Sequence, residues 1–154
     1  MKKILMVCLG NICRSPVAEG VMKHKAEKYK LDIKVASAGT SDFHEGERPD
    51  KRSSSNAALH SIDITGQRSR PVRKDDFERF DLIFAMDHSN YENLINLADK
   101  EQHHKIKMLL NESHPGEDMA VPDPYFGDDG FEEVFQLIDG ACDVIAKKLK
   151  NNEY

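Results

Sequence analysis

The sequence predicts an α/β fold: a four-stranded parallel sheet with helices on both faces and a functional loop between strand 1 and helix 1. Three observations predict it. Short apolar runs alternate with stretches whose apolar residues recur at helical spacing. Strands separated by helices pair in parallel through right-handed crossovers, and these crossovers cover both faces of a sheet. The first strand–helix connection is rich in groups that bind anions, and open parallel sheets bind ligands beyond the carboxyl ends of their strands.

Residues 3–7 (KILMV) suit a buried strand. Ser15 then offers a helix N-cap and Pro16 a first helical residue, after which Val17, Ala18, Val21, Met22, Ala26 and Tyr29 repeat at helical spacing. Residues 33–36 form a second strand, ended by Ser37-Ala38-Gly39-Thr40. Residues 50–60 are expected to be helical, although Ser53-Ser54-Ser55-Asn56 is a weak helix former. Residues 81–85 (DLIFA) form a third strand. Ser89-Asn90-Tyr91-Glu92 reads as a capping box, which Leu94, Ile95 and Leu97 extend into a helix. Residues 106–110 form a fourth strand. Phe131, Val134, Phe135, Ile138, Ala141, Ile145 and Leu149 mark a long terminal helix, with Cys142 inside the stripe as a small buried hydrophobe.

The chain of 154 residues fits one domain, 1–154, with no repeat, low-complexity segment or linker. A hydrophobic fraction of 39% and a charged fraction of 32% are ordinary for a globular chain. The net charge of −5 disfavours a nucleic-acid binder. Nothing resembles a membrane span, and the apolar stretch at residues 4–7 is too short for a signal peptide, so the expected compartment is the cytoplasm. Cysteines stand only at 8, 13 and 142, which suits no disulfide scaffold. No CxxC pair occurs, no His has zinc spacing with a Cys, and His103-His104 reads as a solvated pair, so no metal site is expected.

The informative segment is Cys8-Leu9-Gly10-Asn11-Ile12-Cys13-Arg14-Ser15. A loop that runs from a strand into a helix N-terminus presents backbone N–H groups to an anion. Gly10 permits a positive φ there, and Asn11 tolerates one. Arg14 carries a planar fork that can hold two phosphate oxygens. Cys8, at the strand end, aims its thiol at the centre of the nest, where the positive potential favours the thiolate. The Ser15 hydroxyl can donate to that sulfur. Taken singly, a strand-end Cys is usually a core residue and a helix-start Arg a surface charge. Cys-x5-Arg-Ser placed between strand and helix joins nucleophile, cradle and charge clamp. GxxxxGK[ST] is absent, so a nucleotide-binding P-loop is not indicated.

Phosphoryl transfer to a thiolate also needs an acid for the leaving oxygen. The candidate is Asp123 in Val121-Pro122-Asp123-Pro124-Tyr125-Phe126, where two prolines stiffen the backbone around one carboxylate. A plain turn is the competing reading of Asp-Pro.

VCLGNICRSP at 7–16 resembles the phosphate-binding loop of the low-molecular-weight protein tyrosine phosphatase family, and DPY at 123–125 resembles its general-acid loop. SAGT at 37–40, AMDHSN at 85–90 and the spacing of all the pieces match as well. The acid lies 115 residues after the cysteine, whereas other Cys-x5-Arg phosphatases place it before.

The resemblance implies a two-step hydrolysis of phosphotyrosine without metal or cofactor. Cys8 attacks, Arg14 and the N–H groups of residues 9–15 (Leu9, Gly10, Asn11, Ile12, Cys13, Arg14 and Ser15) cradle the phosphate, and Asp123 acts as acid and then base. Asn11, Ser15 and Ser37 match positions that hold the loop in shape. Gln67 stands where the family ordinarily has a His. Ile12, Phe43, His44, Tyr125 and Phe126 are expected to line the pocket, with Phe43 in place of a common Trp and Phe126 in place of a second Tyr. Implied partners are phosphotyrosine proteins, with neither nucleic acid nor membrane, and the chain itself is expected to be a monomer or weak dimer.

Arsenate reductase shares the anion loop but needs further cysteines that this chain lacks. A phosphoarginine phosphatase of the same family typically carries Thr at the position of Ile12. A non-catalytic phosphate-binding module would be expected to lack the nucleophile or the acid, and both are present here. Cys13 sits close enough in sequence to trap an oxidised Cys8 as a disulfide, if the loop brings the sulfurs together.

Overall fold

Strand β1 (Lys2–Cys8) is apolar because it is covered on both faces: Ile4, Leu5, Met6 and Val7 are fully buried. The structure is a computed structural model that describes residues 1–154 except residues 126 and 128. Helix α1 (Arg14–Tyr29) leads to β2 (Ile33–Gly39), α2 (Lys51–Leu59) and a short α3 (Asp76–Arg79). Strand β3 (Leu82–Ala85), α4 (His88–Leu97), β4 (Ile106–Met108) and α5 (Phe131–Lys150) follow. All strand pairs are parallel, in the order β2-β1-β3-β4.

The pleat of β1 sorts its side chains between two cores. Ile4, Met6 and Cys8 join α1, α2 and α5 on one side, with Val21, Ile64, Phe84 and Ile138. Leu5 and Val7 join α3 and α4 on the other, with Phe77, Ile83 and Leu94. The chain leaves β1 toward β2 and later enters β3 on the opposite side of β1. The carboxyl ends of β1 and β3 therefore flank the point where the strand order reverses, which is where such sheets form a crevice.

Several expectations are corrected. Ser15 is not the N-cap of α1: the helix begins at Arg14, and no side chain caps its first turn. The Ser15 hydroxyl is engaged deeper in the loop instead. Ser89 does not cap α4; Asp87 does, accepting the Asn90 N–H at 2.8 Å. The apolar run 106–110 is strand only through Met108, because Leu109 and Leu110 turn into a 3₁₀ segment that buries both. Helix α2 overcomes its serines because Asp50 caps it through Arg52 N at 2.9 Å. Too short to show a period are α3 and the 3₁₀ segment Lys100–Lys105. Within the latter, His103 is half-buried and bonded to Ile95 O at 2.9 Å rather than solvated.

Candidate active site

The loop between β1 and α1 is turned so that its carbonyls point away from its centre. Cys8 O accepts from Thr40 N, Leu9 O from Ser41 N, Ile12 O from Asp50 N, and Gly10 O from Ser69 Oγ, all between 2.8 and 3.0 Å. The N–H groups of Gly10, Ile12 and Cys13 make no hydrogen bond among the described residues. Inward N–H and outward C=O groups are what an anion nest requires. Of the two residues expected to accommodate a positive φ, Asn11 (56°) takes it and Gly10 does not. Glycine at 10 serves close approach instead: a Cβ there would lie 3.0 Å from His44 Cδ2, tight enough that the His44 ring would have to give. Gly39 answers a similar demand, since a Cβ would sit 2.7 Å from Leu9 O.

Cys8 Sγ receives the Asn11 N–H at 3.3 Å and the Ser15 N–H at 3.5 Å, and lies 3.0 Å from Ser15 Oγ. Asn11 Nδ2 donates to Ser15 Oγ at 2.7 Å and to Ser37 Oγ at 3.0 Å. Ser15 accepts from Asn11 and has its own proton for Ala38 O at 3.4 Å or, when Cys8 is a thiolate, for the sulfur at 3.0 Å. Ser37 passes its proton to Glu19 Oε1 at 2.8 Å, with Gln67 Oε1 farther off at 3.5 Å. Gln67 thus sits at the margin of the network, and its amide N–H goes to Pro16 O. The three residues expected to support the loop, Asn11, Ser15 and Ser37, do meet in space.

Arg14 is buried and held from one side only. Its Nη1 donates to Asp87 Oδ2 at 2.7 Å and to Val121 O at 3.0 Å, while Nη2 lies 3.6 Å from Asp123 Oδ2. The fork is thereby aimed into a cavity of about 390 Å³. Its lining includes Cys8, Leu9, Gly10, Ile12, Cys13, Arg14 and Asp123, together with Ser41, Phe43, His44 and Tyr125. The rim is aromatic: His44 meets Phe43 edge-on at 4.8 Å and Tyr125 at 5.9 Å. Phe43 is 81% exposed and Leu9 47%, so both stand at the mouth. Phe126 lies outside the described residues. Asp123, brought to the cavity from 115 residues away, accepts the Tyr125 N–H at 3.1 Å. Burial pushes the Cys13 thiol up to about 12, against the lowering effect of its Ser53 hydrogen bond, and Asp50 and Asp123 add to the rise. All three cysteines are free.

Sequence reasoning missed several residues. Asp87, which fixes Arg14, lay inside the AMDHSN segment; its signal was position, just beyond the carboxyl end of the strand next to β1. Arg52 bonds Asp50, then Tyr125 O at 2.9 Å and Gly127 O, and so ties the acid loop to α2. Glu19 sits within the apolar period of α1, and no local signal marks it. No group of three or more His, Cys, Asp or Glu among the described residues is placed to hold a metal ion.

A thiol at the floor of an N–H nest, a held arginine and a carboxylate across the cavity, all beyond the switch point of a parallel sheet, define a cysteine-dependent phosphatase. The chain belongs to the low molecular weight phosphotyrosine protein phosphatase family, whose family model matches residues 3–154. It is 39% identical to low molecular weight phosphotyrosine protein phosphatase 1 of Drosophila melanogaster, over 96% of this chain and 97% of that one. A solved protein tyrosine phosphatase from Entamoeba histolytica superposes over 100% of both chains with a TM-score of 0.94 at 37% identity. A Drosophila arginine phosphatase superposes over 96% of each chain with a TM-score of 0.88 at 34% identity. Among the described residues no helix is long and apolar enough to cross a membrane.

Proposed function

We propose that this chain hydrolyses phosphotyrosine in proteins, and small aryl phosphates, through a cysteinyl-phosphate intermediate. The observation that carries the reading is the sulfur of Cys8, met by two backbone N–H donors and the Ser15 hydroxyl at the floor of a cavity walled by Asp123 and rimmed by aromatic rings. Cys8 Sγ attacks phosphorus as the bond to the phenolic oxygen breaks. The equatorial oxygens are held by the loop N–H groups and by Arg14, which Asp87 and Val121 O keep in place. Asp123 gives its proton to the departing phenolate. As a carboxylate it then takes a proton from water, which attacks phosphorus and releases the thiolate. The N–H groups of Asn11 and Ser15 and the Ser15 hydroxyl stabilise that leaving sulfur.

Phosphoarginine is the second reading, favoured by the similarity to the Drosophila arginine phosphatase. Ile12 supports tyrosine. It lines the cavity, is 8% exposed, and offers apolar, β-branched surface beside a ring. A guanidinium, polar and planar, gains nothing from that surface, whereas a Thr hydroxyl there would orient polar groups. Initial rates on a phosphotyrosine peptide and on a phosphoarginine peptide test the choice. Wild type is expected to favour the first, and Ile12→Thr to move the ratio toward the second. A wild-type preference for phosphoarginine rejects the tyrosine reading, and an unmoved ratio in Ile12→Thr rejects the specificity role of Ile12.

A further inference from the structure

Residues 69–72 form a strap that grips the loop from behind. Gly39 N donates to Arg70 O and Val72 N to Gly39 O, both at 2.8 Å, which locks the strap onto the end of β2. Ser69 Oγ bonds Gly10 O at 2.9 Å, and Arg70 N donates to Asn11 Oδ1 at 3.1 Å. One ion pair anchors the strap. Arg70 Nη1 and Nη2 reach Asp76 Oδ2 and Oδ1 at 2.9 and 3.1 Å, and Asp76 Oδ2 also takes the Arg73 N–H at 2.8 Å. The Asp76 side chain is only 1% exposed.

A two-pronged pair fixes the plane of both groups. Burying the Asp76 carboxylate costs desolvation, so what the pair contributes here is geometry as much as stability. That geometry bears on the Asn11 amide. Either end of an amide fits the same space, but a backbone N–H accepts nothing. Because Arg70 N–H faces the amide, the oxygen of Asn11 must turn toward the strap and its nitrogen toward Ser15 and Ser37. That nitrogen donates to the Ser15 oxygen, so Asn11 does not draw the Ser15 proton, which is left for the Cys8 sulfur when that sulfur is a thiolate.

We infer that Arg70 and Asp76 are positioning residues of the reaction: their ion pair, buried at its Asp76 end, holds the strap so that Arg70 N–H sets the Asn11 amide, and through it the donation from Ser15 to Cys8. Neither residue touches the cavity lining. The inference rests on Cys8 being the nucleophile.

The test uses Arg70→Lys, which keeps the charge and loses the fork, and Asp76→Asn. Measured are kcat and KM for p-nitrophenyl phosphate, the inhibition constant of inorganic phosphate, and Tm. At a temperature well below Tm, kcat should fall about 10- to 100-fold, the scale on which remote misplacement of a reacting group acts. Phosphate inhibition should stay as in wild type, because the nest and Arg14 remain. In an Asn11→Ala background, Arg70→Lys should cause no further loss, since the two act on one path. A folded Arg70→Lys with wild-type kcat overturns the inference, as do losses that multiply with Asn11→Ala. If Asp76→Asn is insoluble, Arg70→Lys decides. A wild-type protein without turnover, or an active Cys8→Ser, would sink the functional reading itself, an outcome these variants do not mimic.

Discussion

Cys8 and Cys142 are the same residue type at nearly the same depth, 3% and 0% exposed, yet their surroundings differ in kind. Cys142 sits between α5 and α1, where its thiol reaches Ala18 O at 4.0 Å, and burial pushes it strongly upward. Cys8 ends β1 with two backbone N–H groups and a hydroxyl turned on its sulfur. Depth therefore does not separate a structural cysteine from a nucleophile in this chain. What separates them is whether the fold aims donors at the sulfur.

The largest test of that contrast is Cys8→Ser. Turnover should vanish, while phosphate or vanadate still binds, because Arg14 and the loop N–H groups remain. Substantial hydrolysis by a clean preparation would break the comparison. Asp123→Ala comes next, with kcat expected to fall roughly 10²–10⁴-fold, the usual worth of general acid catalysis. The loss should be greater for phenyl phosphate than for p-nitrophenyl phosphate, whose leaving group needs no proton. A uniform loss would mean that Asp123 shapes the loop only.

On the other side, Cys142→Ser should leave the kcat of the folded protein unchanged. Its cost is in stability, about 1–3 kcal/mol for a buried hydroxyl without a partner, read as a lower denaturation midpoint. A catalytic defect in stably folded Cys142→Ser would blur the contrast. The smallest effect concerns Cys13, a third case. With its thiol raised to about 12, Cys13 is almost wholly protonated at pH 8, so iodoacetamide should add one group per folded chain, on Cys8. Peroxide-treated enzyme should regain activity with a dithiol, and less so after Cys13→Ser. Equal recovery in both rejects a protective role for Cys13, and alkylation of Cys142 in the native protein would contradict its burial.

Much of the site was legible because it is local. Cys8, Asn11, Arg14 and Ser15 lie within eight residues of one strand–helix joint, and the chemistry of an anion nest needs those types at that spacing. The αL position stayed open between Gly10 and Asn11 because both residue types allow it, and the fold puts it on Asn11. Only the neighbour at Gly10, the His44 ring, shows that the glycine serves close approach. The caps of α1 and α4 were misplaced for a related reason: Ser and Asp near a helix start are interchangeable in sequence, and the competing bond of Ser15 to Cys8 comes from the fold.

The sequence by itself determined the alternation of strands and helices, the loop that carries Cys8 and Arg14, and, through its resemblance to a family, the pairing of that loop with Asp123. Apolar period and short-range spacing are written in neighbouring residues, so they survive without coordinates. Tertiary structure alone decided that Asp87 holds Arg14, that Arg52 holds the acid loop, and that Arg70 with Asp76 faces Asn11. Those contacts join residues tens of positions apart across the ends of β1, β2 and β3. They follow from the order β2-β1-β3-β4, which pattern along the chain does not encode.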